Sequence, residues 1–246
     1  MSNVTFPTEV IDLPSGGKFY PEGHPLKSGQ VELKYMTAKE EDILTSQNLI
    51  QKGVVIDKLI DSLIVTKGVT HEDLFLGDLN AIIVASRIMG YGKEYPVTAI
   101  CPKCSHKEEI NIDLSQLETK EINNDDSVTL PVSKKTIKVR LLTRKIEKEI
   151  QRELDGLKKI KSNIDPEVST RLRYIIAEVD GATDAKTIRE TVENMLVADT
   201  RALREFYKKI TPDVKFETIH TCESCNNESS LPITIGTDFF WPDARI

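Results

Sequence analysis

The sequence predicts an α+β fold, and three observations carry that expectation. Two Cys-x-x-Cys pairs, Cys101-Pro-Lys-Cys104 and Cys222-Glu-Ser-Cys225, each stand between short runs rich in β-branched residues, the pattern of a hairpin with its cysteines in the turn. Upstream, apolar residues recur every three or four positions between Thr37 and Gly90, the period of amphipathic helices. Between the pairs, roughly 117 residues (positions 105–221) carry several further stretches of that helical period. The expected organisation is an extended N-terminal arm over residues 1–36 and a helical region over 37–93. A pair of hairpins over 94–114 and 213–236 follows, with an inserted β-hairpin and helical domain over 115–212 and an aromatic tail over 237–246.

Taken in order, the arm is rich in turns. Leu13-Pro-Ser-Gly-Gly-Lys-Phe-Tyr-Pro21 combines glycines suited to positive φ with prolines that bar a helix, and Gln30 to Tyr35 alternates as a strand. Gly17-Lys18 is followed by Phe19, so the spacing of a phosphate-binding loop is absent. Phe19 and Tyr20 order the arm by docking on its own core or on a neighbouring subunit. Thr37-Ala-Lys-Glu40 is a capping box that opens a helix with Ile43, Leu44, Leu49 and Ile50 on its apolar side, ended by Gly53. Val55, Ile56, Leu59, Ile60, Leu63 and Ile64 mark a second helix. Thr70 to Asp73 is a short turn, and Asp78 is read as the cap of a third helix that stops at Gly90.

The inserted segment opens with a polar loop from Ser115 to Asp126 and a hairpin formed by Val128–Val132 and Thr136–Leu142. A charged helix from Thr143 to about Lys161 carries Ile146, Ile150, Leu154, Leu157 and Ile160 in a narrow stripe. That stripe packs on its own domain or serves a partner or a second copy. Asp165-Pro166 caps the next helix, expected to run to Asp180-Gly181 and to bury Leu172, Ile175, Ile176 and Val179. Lys186–Lys209 is helical with a break expected at Asp199-Thr200, and Thr211-Pro212 closes the insertion. The tail puts Phe239, Phe240 and the only Trp, Trp241, side by side, either as a lid on the core or as an anchor for a partner.

Composition narrows the function. With 39% hydrophobic and 29% charged residues the chain is globular and not of the disordered class. A net charge of −6 weighs against nucleic acid as a partner. No run approaches the roughly 18 apolar residues of a membrane span, and the Met1-Ser-Asn-Val-Thr5 start lacks a secretory pattern, so the expected setting is a reducing compartment. Catalytic signatures are missing: there is no GxSxG, HExxH or Walker loop, and the four histidines are scattered. Glu40-Glu41-Asp42 and Glu108-Glu109 read as solvated faces. The expectation is a protein that is not an enzyme.

The four cysteines are the only ones in the chain, and their paired spacing supplies the four thiolates of a tetrahedral metal site. Cys101, Cys104, Cys222 and Cys225 are therefore the candidate metal ligands, and the fold class becomes a split zinc ribbon with a long insertion. Structural zinc is favoured, and iron uses the same ligand set. Disulfides are rare in reducing compartments, and redox Cys-x-x-Cys motifs sit at helix starts, not between strands. His106 and His220 lie close by and read as bystanders. Closing so long a loop costs only about 4 kcal/mol, which metal binding offsets.

The order of these features resembles a known family. Leu13-Pro-Ser-Gly-Gly-Lys-Phe-Tyr-Pro21, Tyr35-Met-Thr-Ala-Lys-Glu-Glu-Asp-Ile-Leu44, Gln51-Lys-Gly53, Ile56-Asp-Lys-Leu-Ile60, Asp78-Leu-Asn-Ala-Ile-Ile83 and Arg87-Ile-Met-Gly-Tyr-Gly92 carry it, with Phe239-Phe-Trp-Pro242 more loosely. Together they resemble the baseplate hub subunit family of T4-like contractile-tailed bacteriophages. The resemblance implies a hub component or hub assembly factor that binds other baseplate and tail proteins. It implies a location in the host cytoplasm during assembly and in the virion tail. Partner contacts are expected through Phe19, Tyr20, Phe239, Phe240 and Trp241. The alternative is a zinc-ribbon nucleic-acid-binding or transcription-related protein, for which Lys103, Lys107, Lys134 and Lys135 speak.

Overall fold

The computed structural model describes residues 6–123, 125–159, 166–235 and 239–240. In chain order its first part holds strands β1 (Thr8–Asp12) and β2 (Gln30–Lys34), helices α1 (Ala38–Thr45), α2 (Gln47–Gln51), α3 (Val55–Leu63) and α4 (Leu76–Tyr91), and strands β3 (Glu94–Ile100) and β4 (Lys107–Asp113). The middle part holds β5 (Ser127–Thr129), β6 (Thr136–Val139), α5 (Arg144–Lys159), α6 (Glu167–Ile175), β7 (Ile176–Val179), α7 (Ala185–Glu193) and α8 (Val197–Ile210). Strands β8 (Glu217–Thr221) and β9 (Glu228–Pro232) close it. This mixture of helices and small antiparallel sheets is an α+β fold. It forms two compact units: Met1–Thr70 with Asn80–Lys120 and Asp213–Ile246, and His71–Leu79 with Glu121–Pro212.

In the first unit β1 and β2 pair antiparallel, from Thr8 opposite Lys34 to Asp12 opposite Gln30. The glycine-rich turn then folds back: Leu13 donates its N–H to the Gly29 carbonyl at 2.8 Å, and Gly16 and Gly17 take φ of 55° and 74°. Leu13, Tyr20, Leu26, Val31 and Leu33 are buried, with the Tyr20 ring stacked on His24 at 5.0 Å.

The capping box of α1 does more than end a helix. Glu40 is fully buried, and its carboxylate accepts hydrogen bonds from the Thr37 N–H (2.9 Å), the Thr37 and Ser62 hydroxyls (2.6 Å each) and the Lys34 ammonium (2.8 Å). The sequence reading of Glu40 as part of a solvated face is corrected: one carboxylate joins β2, α1 and α3. Gly53, with φ of 65°, follows α2 as expected.

The third expected helix starts earlier and stops later than its pattern suggested. Asp78 lies inside α4, buried, and Gly90 is helical, next to Met36; a Cβ on Gly90 would stand 2.4 Å from the Met36 Cε. Gly92, at φ of 83°, is the residue that leaves the helix. Arg87 accounts for this exit. Its buried guanidinium donates to the carbonyls of Gly92 (2.8 Å) and Glu94 (3.2 Å), satisfying backbone acceptors where α4 passes into β3. Beyond β4, Lys120 donates to the Asp213 carbonyl and Lys215 to the Glu118 carbonyl, each at 2.8 Å, tying together the chain segments that leave and re-enter this unit.

The second unit has a three-stranded antiparallel sheet in the order β5-β6-β7. β7 is a correction: Ile176–Val179 was expected to continue a helix. The run is buried at both ends and pairs with β6, with Ile137 opposite Val179, so tertiary pairing overrides the helical spacing. α5 lays Ile150 and Leu154 into the core of its own unit. It is tied to α6 by a two-pronged Arg171–Glu147 pair (2.7 and 2.9 Å) and by Arg173–Glu153 (2.7 Å). Ile160 and Asp165 lie outside the described residues. The expected break at Asp199-Thr200 is also corrected. It falls at Asn194–Leu196, and Asp199 sits buried in the first turn of α8, accepting from the backbone N–H groups of Val132 (2.8 Å) and Ser133 (3.0 Å).

Candidate metal centre

Both cysteine pairs occupy hairpin turns of the first unit, and the two turns have the same geometry. β3 pairs with β4 from Glu94 opposite Asp113 to Ile100 opposite Lys107, and β8 with β9 from Glu217 opposite Pro232 to Thr221 opposite Glu228. In the first turn Cys101 donates to the His106 carbonyl and Ser105 to the Cys101 carbonyl, both at 2.9 Å. In the second, Cys222 donates to the Asn227 carbonyl at 3.1 Å and Asn226 to the Cys222 carbonyl at 2.9 Å. Ser105 and Asn226, each directly after the second cysteine, take φ of 58° and 52°, so both turns close through a left-handed residue at the same position.

The four sulfur atoms all lie within 4.8 Å of one another. Cys101 Sγ stands 3.7 Å from Cys225 Sγ, and Cys104 Sγ 3.7 Å from Cys222 Sγ. A tetrahedron with metal–sulfur bonds of about 2.3 Å has edges of about 3.8 Å. The sulfurs are thus spaced for a tetrahedral ion and are too far apart for a disulfide, and all four cysteines are free thiols. Cys101 and Cys222 are buried, Cys225 is half-buried and Cys104 is exposed.

Electrostatics point the same way. Backbone N–H groups of Cys104 and Lys103 help pull the Cys101 thiol down to about 6. Burial and the adjoining sulfurs push the Cys222 thiol up. The Cys225 thiol is pushed up to about 12: its hydrogen bond from Asn227 is outweighed by burial and the sulfurs of Cys104 and Cys101. At this spacing negative charge on one sulfur opposes it on the others, and a cation among them would relieve that repulsion. The four cysteines fit a soft divalent ion, compatible with zinc, and a set closed by four thiolates leaves no open position for a substrate.

Around the sulfurs, one feature was not visible in the sequence. Glu108, read there as solvated, has a side chain only 9% exposed, and its Oε1 accepts from His220 Nε2 at 2.9 Å. His220 is not among the clustered ligand atoms and makes its contact with Glu108 instead. The alternation of β4 carries the missed signal: Glu108 faces Ala99, which is buried, across the hairpin.

The aromatic candidates are placed as follows. Tyr20, Phe239 and Phe240 are buried, Phe19 is half-buried, and Trp241 lies outside the described residues. Phe239 meets Tyr95 of β3 edge-on at 5.2 Å and Phe240 at 5.4 Å, so the Phe239 ring packs against the first hairpin.

Fold and site together define an α+β protein braced by a four-cysteine cluster, with no described helix long and apolar enough to cross a membrane. Compared with known families, the chain matches the model described as T4 bacteriophage base plate protein over residues 6–241, and it belongs to that family. No curated protein and no solved structure matches it significantly. Family membership gives a phage baseplate protein with a structural or assembly role, located with the virion tail and interacting with other tail proteins.

Proposed function

We propose that this protein is a baseplate hub component or hub assembly factor, a non-catalytic scaffold whose split zinc ribbon is closed by Cys101, Cys104, Cys222 and Cys225. The observation that supports the baseplate role is the family match across nearly the whole chain. The hub assignment adds the resemblance to hub subunits, which covers mainly residues 13–110 and, more loosely, the second Cys pair and residues 239–242. The zinc reading is supported by the tetrahedral spacing of the four sulfurs. When bound, a divalent ion would offset half of the charge of four thiolates and cross-link turns more than 110 residues apart in sequence. The chain's own residues do the rest. The left-handed Ser105 and Asn226 close the two turns, and Phe239 packs against Tyr95 of the first hairpin.

Affinity purification from infected cells tests the reading. Recovery of hub and other central baseplate proteins with the tagged chain is expected; recovery of peripheral baseplate proteins alone would remove the hub assignment. Mass spectrometry of purified virions beside assembly intermediates then separates a retained component from a transient factor. Metal analysis of protein purified without added metal should give one zinc per chain, and a red iron-containing product would replace zinc by iron.

A further inference from the structure

The two hairpins belong to separate two-stranded sheets, β3-β4 and β8-β9, and no backbone ladder joins them among the described residues. Besides the sulfurs, and the backbone bonds that join residues 118–120 to 213–215, a carboxylate bridges the two turns. Glu108 Oε1 accepts from His220 Nε2 at 2.9 Å and also faces the backbone N–H of Glu223 at 3.4 Å. Glu108 belongs to the first hairpin; both donors belong to the second, and Glu223 lies between its two cysteines. The Glu108 and His220 side chains are only 9% and 12% exposed.

We infer that Glu108 and His220 form a clamp that docks the two cysteine turns on each other before metal binds, and so sets the affinity of the site. The inference deepens the zinc reading and rests on it for its affinity arm only. A carboxylate accepts and cannot donate when ionised, so the His220 Nε2 carries the proton in this contact. A carboxylate taken this far from water needs donors, and both donors near Oε1 arrive with the opposite turn. Docking is therefore directional: sliding or rotating one hairpin leaves Glu108 desolvated and unpaired. None of these atoms is a sulfur ligand, so the clamp works in the metal-free protein. Outer partners of this kind hold ligands in place, and their loss typically lowers metal affinity about 10–100-fold.

Two measurements on the full chain test the clamp. In the first, zinc affinity is read by competition with a chromophoric chelator. Glu108→Ala and His220→Ala should each bind about 10–100-fold more weakly. The double variant should be no weaker than either single one, because the pair acts as a unit. Glu109→Ala, at the exposed neighbouring position, should bind as the parent does. In the second, metal-free protein is oxidised gently with diamide and its disulfides are mapped by mass spectrometry. The parent should give the cross-turn pairs Cys101–Cys225 and Cys104–Cys222; the clamp variants should shift to Cys101–Cys104 and Cys222–Cys225. Should the alanine variants fail to fold, Glu108→Gln, which keeps an acceptor oxygen, should give an intermediate loss of affinity and of cross-turn pairing. Parent-like affinity and parent-like disulfides in the folded variants would overturn the clamp. A parent that takes up no zinc would sink the zinc reading, and the disulfide map would still decide the clamp.

Discussion

At the scale of single residues, Glu40 shows how a buried charge sets a pH limit. Burial alone would raise its pKa, but hydrogen bonds from Lys34, Ser62 and Thr37 outweigh it and bring the carboxyl down from 4.5 to about 2. A folded-state value below the unfolded one stabilises the protein above the unfolded pKa, and that stability is lost as pH falls through the folded value. The window is therefore pH 4.5 down to about 2, and the size is about 3 kcal/mol. Denaturant midpoints of the parent should fall steeply across that window, whereas Glu40→Gln, less stable near neutrality, should show a flatter profile. Glycine positions make a second contrast. At Gly17 φ is +74° and an added Cβ would lie 2.3 Å from the Lys27 carbonyl oxygen, a backbone atom that cannot yield. Gly17→Ala should cost about 3 kcal/mol in chemical denaturation. Gly90→Ala meets only the flexible end of Met36 within an ordinary helix, and should stay within about 1 kcal/mol of the parent.

At the scale of elements, the passage from α4 into β3 depends on Arg87. The residue is 1% exposed, and its guanidinium binds the Gly92 and Glu94 carbonyls and lies over the Tyr91 ring at 5.4 Å. Burial lowers its pKa, as expected for a cation taken from water. Arg87→Met keeps much of the volume and loses both charge-assisted hydrogen bonds, which should cost about 2–3 kcal/mol. Because β3 leads directly into Cys101, the same variant should also weaken the proposed zinc binding. Thermal melts and chelator competition read the two effects separately.

At the scale of the whole molecule, the metal should act on one compact unit. Cys222→Ser, or exhaustive chelation, should strip the ion and lower amide-exchange protection in β3, β4, β8 and β9. Protection in β6, β7 and α8, which have their own core around Ile137, Val179 and Leu203, should persist. Uniform loss of protection in both units would show that they unfold as one.

Local signals were legible wherever chemistry and spacing coincide in a short stretch. The sequence by itself determined the capping box at Thr37, the glycine turn at Gly16 and Gly17, the hairpins around each cysteine pair and most helix positions, because turn chemistry and apolar period act between near neighbours. It could not decide the outcome where distant partners compete with local preference. Ile176–Val179 carries helical spacing yet becomes a strand because β6 offers it a ladder. Glu40 and Glu108 look like surface acids, yet Glu40 is buried and the Glu108 side chain is only 9% exposed, each with a donor from a distant segment, Ser62 and His220. Only the tertiary structure brought the four sulfurs within 4.8 Å of one another, since that meeting depends on the path of the long segment between them.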